Sequence, residues 1–201
     1  TPMSLADRRY DFEMQLRQRL VARGFSEART STLIGRQSLG SSFGRGAVEL
    51  RNPLSEDHVA LRPSLIPGLV ASLERNLRAG AKSVRLFEAG RVFLPPDGKE
   101  MRRLGLLLSG EASGSMHWRG DRFRSLDFYD LKGALEAAGM GDISLRRIEQ
   151  TEFALATDLF SGEERRGFAG QLVSAQTSAS APVFVAEINL PNEFEAAPAG
   201  R

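Results

Sequence analysis

The tetrapeptide Pro95-Pro96-Asp97-Gly98 restricts the possible folds of this chain more than any other feature. Proline presets its own backbone for a reversal, and Asp-Gly completes a tight one. Strand-like runs flank it, Val84 to Leu94 (with Gly90 as an interruption) and Leu104 to Ser109. Strands joined by so short a turn must run antiparallel, because a parallel pair needs a long crossover. Residues 84–108 are therefore predicted to form a hairpin. Further strands are predicted at Ala28–Ile34, Ala47–Arg51, His58–Arg62, Ile143–Ile148, Phe153–Leu159, Gly167–Val173 and Val183–Leu190. Asn52-Pro53 stops the second of these, since proline cannot donate to a ladder.

Three helices interrupt the strands. Ser4 can cap a helix over Ser4–Arg23, with Asp7 three residues on as a short capping box. Phe12, Leu16 and Leu20 recur at spacing four, and Leu5 and Arg9 extend the stripe. Gly24 suits the C′ position, and Phe25 can fold back on the last turn. This helix either packs only on its own domain or also meets another chain. Ile66–Ala79 carries Pro67 in its first turn, an apolar stripe of Leu69, Leu73 and Leu77, and a terminating Gly80. Asp127–Ala138 presents Phe128, Leu131 and Leu135 on one face and is followed by Gly139. Helices mixed with hairpins argue for an α+β domain on an antiparallel sheet, not a doubly wound parallel one. Gly40–Gly46, Gly110–Phe123 with Trp118, and Gln176–Ala181 read as loops.

Chemistry-bearing patterns are sparse. With no cysteine, disulfides and thiolate metal sites are excluded. The two histidines, His58 and His117, have no ligand spacing, and neither a nucleophile elbow nor a P-loop is present. Gly40, Gly44 and Gly46 do not fit a dinucleotide fingerprint. Asp127 and Asp130 at a helix start favour the helix dipole over catalysis. A net charge of +2, from 27 basic and 25 acidic residues, does not by itself mark a nucleic-acid binder. One local cluster does raise that question: Arg102, Arg103, Arg119, Arg122 and Arg124 interleave with Trp118, Phe123 and Phe128. Such a mixture can hold single-stranded nucleic acid. The preferred reading is a solvated face balanced by Glu100, Glu111, Asp121 and Asp127. No apolar run has the length of a membrane span, and no membrane partner is expected. The chain opens on Thr1-Pro2, so we expect a piece of a longer protein.

Several motifs in order carry a resemblance. They are Asn52-Pro53-Leu54-Ser55, then Leu61-Arg62-Pro63-Ser64-Leu65-Ile66-Pro67-Gly68-Leu69, then Asn76, then Leu86-Phe87-Glu88-Ala89-Gly90-Arg91-Val92-Phe93. Asp127-Phe128-Tyr129-Asp130-Leu131-Lys132-Gly133 and the opening helix with Gly24-Phe25 extend the match over roughly residues 4 to 192. Together they resemble the catalytic-like region of the β subunit of bacterial phenylalanyl-tRNA synthetase. That resemblance implies a class II aminoacyl-tRNA synthetase-like fold, an antiparallel sheet flanked by helices. The expected core spans residues 1–192, with two subdomains meeting near 110–125 and a disordered tail at 193–201. It also implies a cytoplasmic α2β2 ligase that attaches phenylalanine to tRNA(Phe), with ATP and magnesium used by the whole enzyme. The α subunit and, through the whole enzyme, tRNA(Phe) are the expected partners.

For these 201 residues the resemblance implies no cofactor, metal or catalytic residue. Adenylation in this class needs an arginine after a Gly-Arg-Val-Tyr-like stretch to hold the α-phosphate of ATP. Here Gly90-Arg91-Val92-Phe93 is followed by Leu94, which carries no charge to offer a phosphate. The second arginine expected near the C-terminus has no counterpart after Gly167–Val173, which leads into Ser174-Ala175-Gln176. The fragment alone is therefore expected to be inactive. Leu5, Arg9, Phe12, Leu16 and Leu20 are the candidate contacts with the α subunit. Asn52, Pro53, Arg62, Ser64, Pro67, Gly68, Asn76, Phe87, Glu88 and Gly90 are assigned structural roles, Arg62 and Glu88 as polar anchors of a strand–helix junction. The alternatives are a divergent ATP-binding enzyme using Arg62, Glu88 or Arg91, and a nucleic-acid module using residues 102–124.

Overall fold

The hairpin around Pro95–Gly98 forms and organises everything else. In the computed structural model, residues 5–112, 124–139 and 141–191 are described, the side chains of residues 5–7 excepted. The expected Ser4 cap and the Asp7 side chain lie outside the described residues, as do Trp118, Arg119, Arg122, Phe123 and the expected tail at 193–201. In chain order the elements are α1 (Leu5–Val21), β1 (Ser26–Glu27), β2 (Leu33–Ile34), β3 (Ala60–Leu61), α2 (Ile66–Arg78), β4 (Ser83–Leu94), β5 (Lys99–Gly110), α3 (Phe128–Ala137), β6 (Ser144–Ile148), β7 (Phe153–Ser161), β8 (Glu164–Leu172) and β9 (Val183–Asn189). No helix among the described residues is long and apolar enough to cross a membrane.

Seven strands make one sheet in the order β1-β4-β5-β9-β8-β7-β6. Every neighbouring pair is antiparallel except β1 with β4. Because side chains alternate along a strand, each face of the sheet buries its own set. One face packs Phe87, Leu104, Leu106, Leu108, Ala186 and Ile188 against Leu16 and Leu20 of α1 and Leu131 and Leu135 of α3. The other packs Val84, Leu86, Leu107 and Val185 against Ile66, Leu69 and Leu73 of α2. Gly24 (φ 80°) ends α1, and the Phe25 N–H donates back to Leu20 O at 3.1 Å, as a left-handed C′ residue allows. Asp127 caps α3: its carboxylate accepts from Tyr129 N and Asp130 N, while Asp130 accepts from Asp127 N. The capping box thus gives the two acids the structural role expected of them.

Some expected boundaries move. Ala28–Ile34 is not one strand. β1 ends just before it and β2 keeps only its last two residues, because Thr30 between them is drawn into side-chain hydrogen bonds described below. Ala47–Arg51 contributes a single bridge, Glu49 to Ala60. Gly90 does not interrupt β4 but pairs in register with Arg103. β5 begins at Lys99 rather than Leu104, since backbone ladders ignore side-chain polarity and Arg91 meets Glu100 across the strands at 3.6 Å. The seven-stranded sheet runs through residues on both sides of the expected boundary near 110–125, because β5 pairs with β9.

Candidate functional site

On the α2 face of the sheet, the chain just before α2 lies nearly flat on two glycines. A Cβ at Gly90 would meet Arg62 Nη2 at 2.6 Å and Leu65 Cδ2 at 3.0 Å, and one at Gly105 would meet Leu65 Cβ at 3.0 Å. This close approach carries Arg62 and Ser64 onto the sheet. Arg62 Nη2 sits 2.9 Å from Glu88 Oε1, and the two side chains are only 4% and 6% exposed. The remaining donors of Arg62 reach Arg91 O at 2.9 Å and Thr30 Oγ1 at 2.7 Å. Glu88 accepts from the Thr30 hydroxyl at 2.6 Å. A buried ion pair persists only when its leftover donors and lone pairs find partners, and Thr30 supplies several of them here.

A second buried acid lies two strands away. Glu187 of β9 accepts from Ser64 Oγ at 2.7 Å and from the Leu65 N–H at 2.9 Å. Arg103 of β5 lies 3.6 Å from it and also donates to Asn189 Oδ1 at 3.1 Å. Burial pushes the Glu187 carboxyl above its ordinary range, against the opposing pull of Arg103 and of the donors at Leu65 and Ser64.

Above these groups opens a cleft of about 370 Å³, with Phe43, Arg45, Arg103, Arg165, Phe168 and Glu187 in its lining. Phe43, Phe153 and Phe168 close one side with ring centroids 5.8 to 6.3 Å apart. Of the three arginines in its lining, Arg103 faces Glu187 and Arg165 holds Asp158 at 2.6 Å, while Arg45 is exposed with no carboxylate within ion-pair distance among the described residues. Leu94 closes β4, half-buried and in register with Lys99. An arrangement of this kind orders a sheet–helix junction and offers little free positive charge to a triphosphate.

The candidate structural residues are thus partly brought together. Arg62, Ser64, Gly68, Glu88 and Gly90 converge at the α2 junction, where a Cβ on Gly68 would meet Thr30 Cβ at 2.7 Å. Pro67 stands in the first turn of α2. Phe87 is buried on the opposite face. Asn52 and Pro53 lie in an exposed loop, and Asn76 is exposed near the far end of α2. On α1, Leu16 and Leu20 are buried in this chain's own core and Phe12 packs against it, so the core claims this part of the stripe expected to face a partner. Arg9 is exposed, 3.9 Å from Glu13. The Leu5 side chain lies outside the described residues. Tyr10 and Val21 are 65% and 57% exposed. With Met14 they form a second stripe, turned well away from the first at 100° per residue.

The basic cluster is largely neutralised where it is described. Arg102 grips Glu13 at 2.6 Å, Arg103 faces Glu187, and Arg124 holds Asp130 at 2.7 Å. Sequence reasoning overlooked Thr30, Glu13 and Glu187. Glu187 had a usable signal, because a lone acid inside Val-Phe-Val-Ala-Glu-Ile-Asn must find a buried partner.

Comparison with known proteins matches residues 1–190 to the family described as the phenylalanyl tRNA synthetase beta chain CLM domain. A phenylalanine–tRNA ligase beta subunit of Geobacter metallireducens is 38% identical over 133 residues, covering 62% of this chain and 16% of that protein. One from Syntrophus aciditrophicus is 33% identical over 166 residues, covering 78% and 20%. The chain therefore spans about a fifth or less of the length of these curated relatives. Among solved structures, a pyrrolysyl tRNA synthetase of Desulfitobacterium hafniense superposes with a TM-score of 0.66 at 20% identity, covering 90% of this chain and 65% of that one. This likeness is one of fold, and it is the class II synthetase-like sheet that the resemblance implied.

Proposed function

The chain belongs to the phenylalanyl-tRNA synthetase β-chain family, in the part described as its CLM domain, and from that premise we propose that it is a non-catalytic module that packs against the catalytic α subunit and supports ATP-dependent attachment of phenylalanine to tRNA(Phe). One observation carries the non-catalytic half of this reading. The arginines on the sheet face that could meet a nucleotide are held by the chain's own carboxylates, Arg62 by Glu88 and Arg103 by Glu187. Leu94 adds no charge at the end of β4. Freeing either arginine would leave a buried acid unpaired, a cost that ATP would have to offset before any catalysis.

The packing half rests on α1. Its inward stripe belongs to the core, so the contact with the α subunit falls on the stripe of the exposed Tyr10 and Val21 and the half-buried Met14. Light scattering of the chain mixed with the α subunit tests this reading. A complex of summed or doubled mass is expected, weakened by Tyr10→Asp with no loss of thermal stability. Two separate species under all conditions would sink it. Calorimetry with ATP and magnesium tests the other half. No binding is expected, whereas micromolar binding lost in Arg91→Ala would favour a divergent ATP-using enzyme.

A further inference from the structure

Most cations of the described residues that sit near the sheet's centre are paired, but a group at one end of the molecule is not. Among the described residues, no carboxylate lies within ion-pair distance of Arg23, Arg78, Lys82 or Arg85, nor of Arg19 or Arg75. They come from three elements that end together. Arg19 is in the last turn of α1 and Arg23 lies just beyond it; Arg75 and Arg78 are in the last turn of α2; Lys82 and Arg85 stand at the start of β4. The elements meet around an open cleft of about 450 Å³ whose lining includes Arg23, Ser26, Asn76, Ser83 and Arg85 and no acidic residue. Arg85 Nη1 donates to the Arg23 backbone carbonyl at 3.4 Å, and the Arg23 guanidinium lies against Gly133 of α3. The neighbouring acid Glu27 is already held by Arg17 at 2.9 Å.

Cations at helix ends have an ordinary explanation, since each helix C-terminus carries about half a negative charge. Because the Arg19 guanidinium also lies against Gly139 just beyond α3, three such ends supply roughly one and a half negative charges against six cations, and Lys82 and Arg85 are not on a helix at all. The surplus positive charge therefore faces outward. Of the remaining polar groups of the cleft, Ser83 already donates to Glu111 O at 2.7 Å and Asn76 to Ser72 O at 2.8 Å, which leaves the Ser26 hydroxyl and the second amide proton of Asn76 to meet phosphate and sugar oxygens. No aromatic ring lines it, so bases have nothing to stack on. We propose that this cleft binds the phosphodiester backbone of RNA, through charge and without reading sequence. The choice of a tRNA as the RNA rests on the function proposed above, while the site itself does not.

Anisotropy of a labelled tRNA transcript, titrated with the chain across a range of salt concentrations, tests the proposal. Binding should weaken steeply with salt. Arg23→Glu/Arg85→Glu should weaken it about tenfold or more near 0.1 M salt and flatten the slope by about 0.7–0.9 for each phosphate no longer neutralised. Arg78→Glu/Lys82→Glu, at exposed positions, should do the same and covers the case in which the first pair disturbs folding. Arg51→Glu/Arg147→Glu makes the same charge change at exposed positions elsewhere and should leave binding within about twofold. The proposal is overturned if the parent shows no salt-dependent binding, or if the control pair weakens binding as much as the cleft variants. It is equally overturned if acidic phospholipid vesicles or polyglutamate bind at these residues while RNA does not. Association with the α subunit, measured on the same variants, should be unchanged. Its absence in the parent would count against the function proposed above and leave the RNA result standing.

Discussion

At the scale of single residues, the fold depends on charges that water does not reach. Arg62 and Glu88 each lose their hydration on folding and recover it from one another and from Thr30. Removing one leaves the other buried and uncompensated, which costs about 3–5 kcal/mol. Glu88→Ala and Arg62→Ala should each lower stability by that order in urea unfolding, and the double variant should lose far less than their sum. Additive losses would mean that the two side chains do not act as a pair. Glu187 makes a separate, pH-dependent prediction. Burial raises its carboxyl above the ordinary range, so the native state binds that proton more tightly than the unfolded chain does. Its contribution to stability is therefore fully present below the unfolded value, about 4.3, and is lost as pH rises through the raised one. Glu187→Gln keeps an acceptor for Leu65 and Ser64 but does not titrate. The stability of the parent relative to this variant should fall as pH rises above the ordinary carboxylate range, read as the difference in urea midpoints. Parallel profiles would show that Glu187 titrates normally.

At the scale of elements, α2 is held to the sheet by what its sequence lacks. Alanine in a helix interior is favoured over glycine by about 1 kcal/mol, which argues that Gly68→Ala should stabilise α2. The docked helix argues the reverse, because the new methyl would meet Thr30 Cβ at 2.7 Å and its hydroxyl closer still. Thr30 cannot yield without disturbing Arg62 and Glu88. A net loss of about 1–3 kcal/mol is expected, with helix content unchanged by circular dichroism. A gain in stability would show that Thr30 moves freely. The same contrast explains what was legible in the sequence. α2, α3 and the 84–108 hairpin are declared by local signals: periodicity, Asp127 with Asp130, and Pro-Pro-Asp-Gly. Thr30 and Glu88 are 58 residues apart, and neither periodicity nor a turn signal connects them. That is why residues 28–34 read as one strand and why the α2 junction was known only through its motif residues. The direction of the α1 stripe was likewise ambiguous, because Leu16 and Leu20 have the spacing of a helix that packs on its own domain or on another chain.

At the scale of the whole molecule, the order of strands in space differs from their order in sequence, and this bears on how the chain unfolds. β9 is the last strand among the described residues, yet it lies at the middle of the sheet, paired with β5 on one side and β8 on the other. Val183 to Ile188 are all buried. Those side chains belong to both hydrophobic layers, Ala186 and Ile188 toward α1 and α3, Val183 and Val185 toward α2. Glu187 of the same strand ties the start of α2 down. Residues 5–112 therefore have no complete core of their own, and a chain cut after Pro182 exposes the unpaired edges of β5 and β8 together with the apolar faces that β9 covered. Such edges template aggregation. The intact chain should unfold in one transition, with near- and far-ultraviolet circular dichroism superimposing in urea. The chain ending at Pro182 should show no cooperative transition and no slowly exchanging amides in β5. Two transitions in the intact chain, the first confined to residues beyond 125, would support two subdomains meeting near 110–125 and would mean that the β5–β9 ladder is weaker than its burial implies.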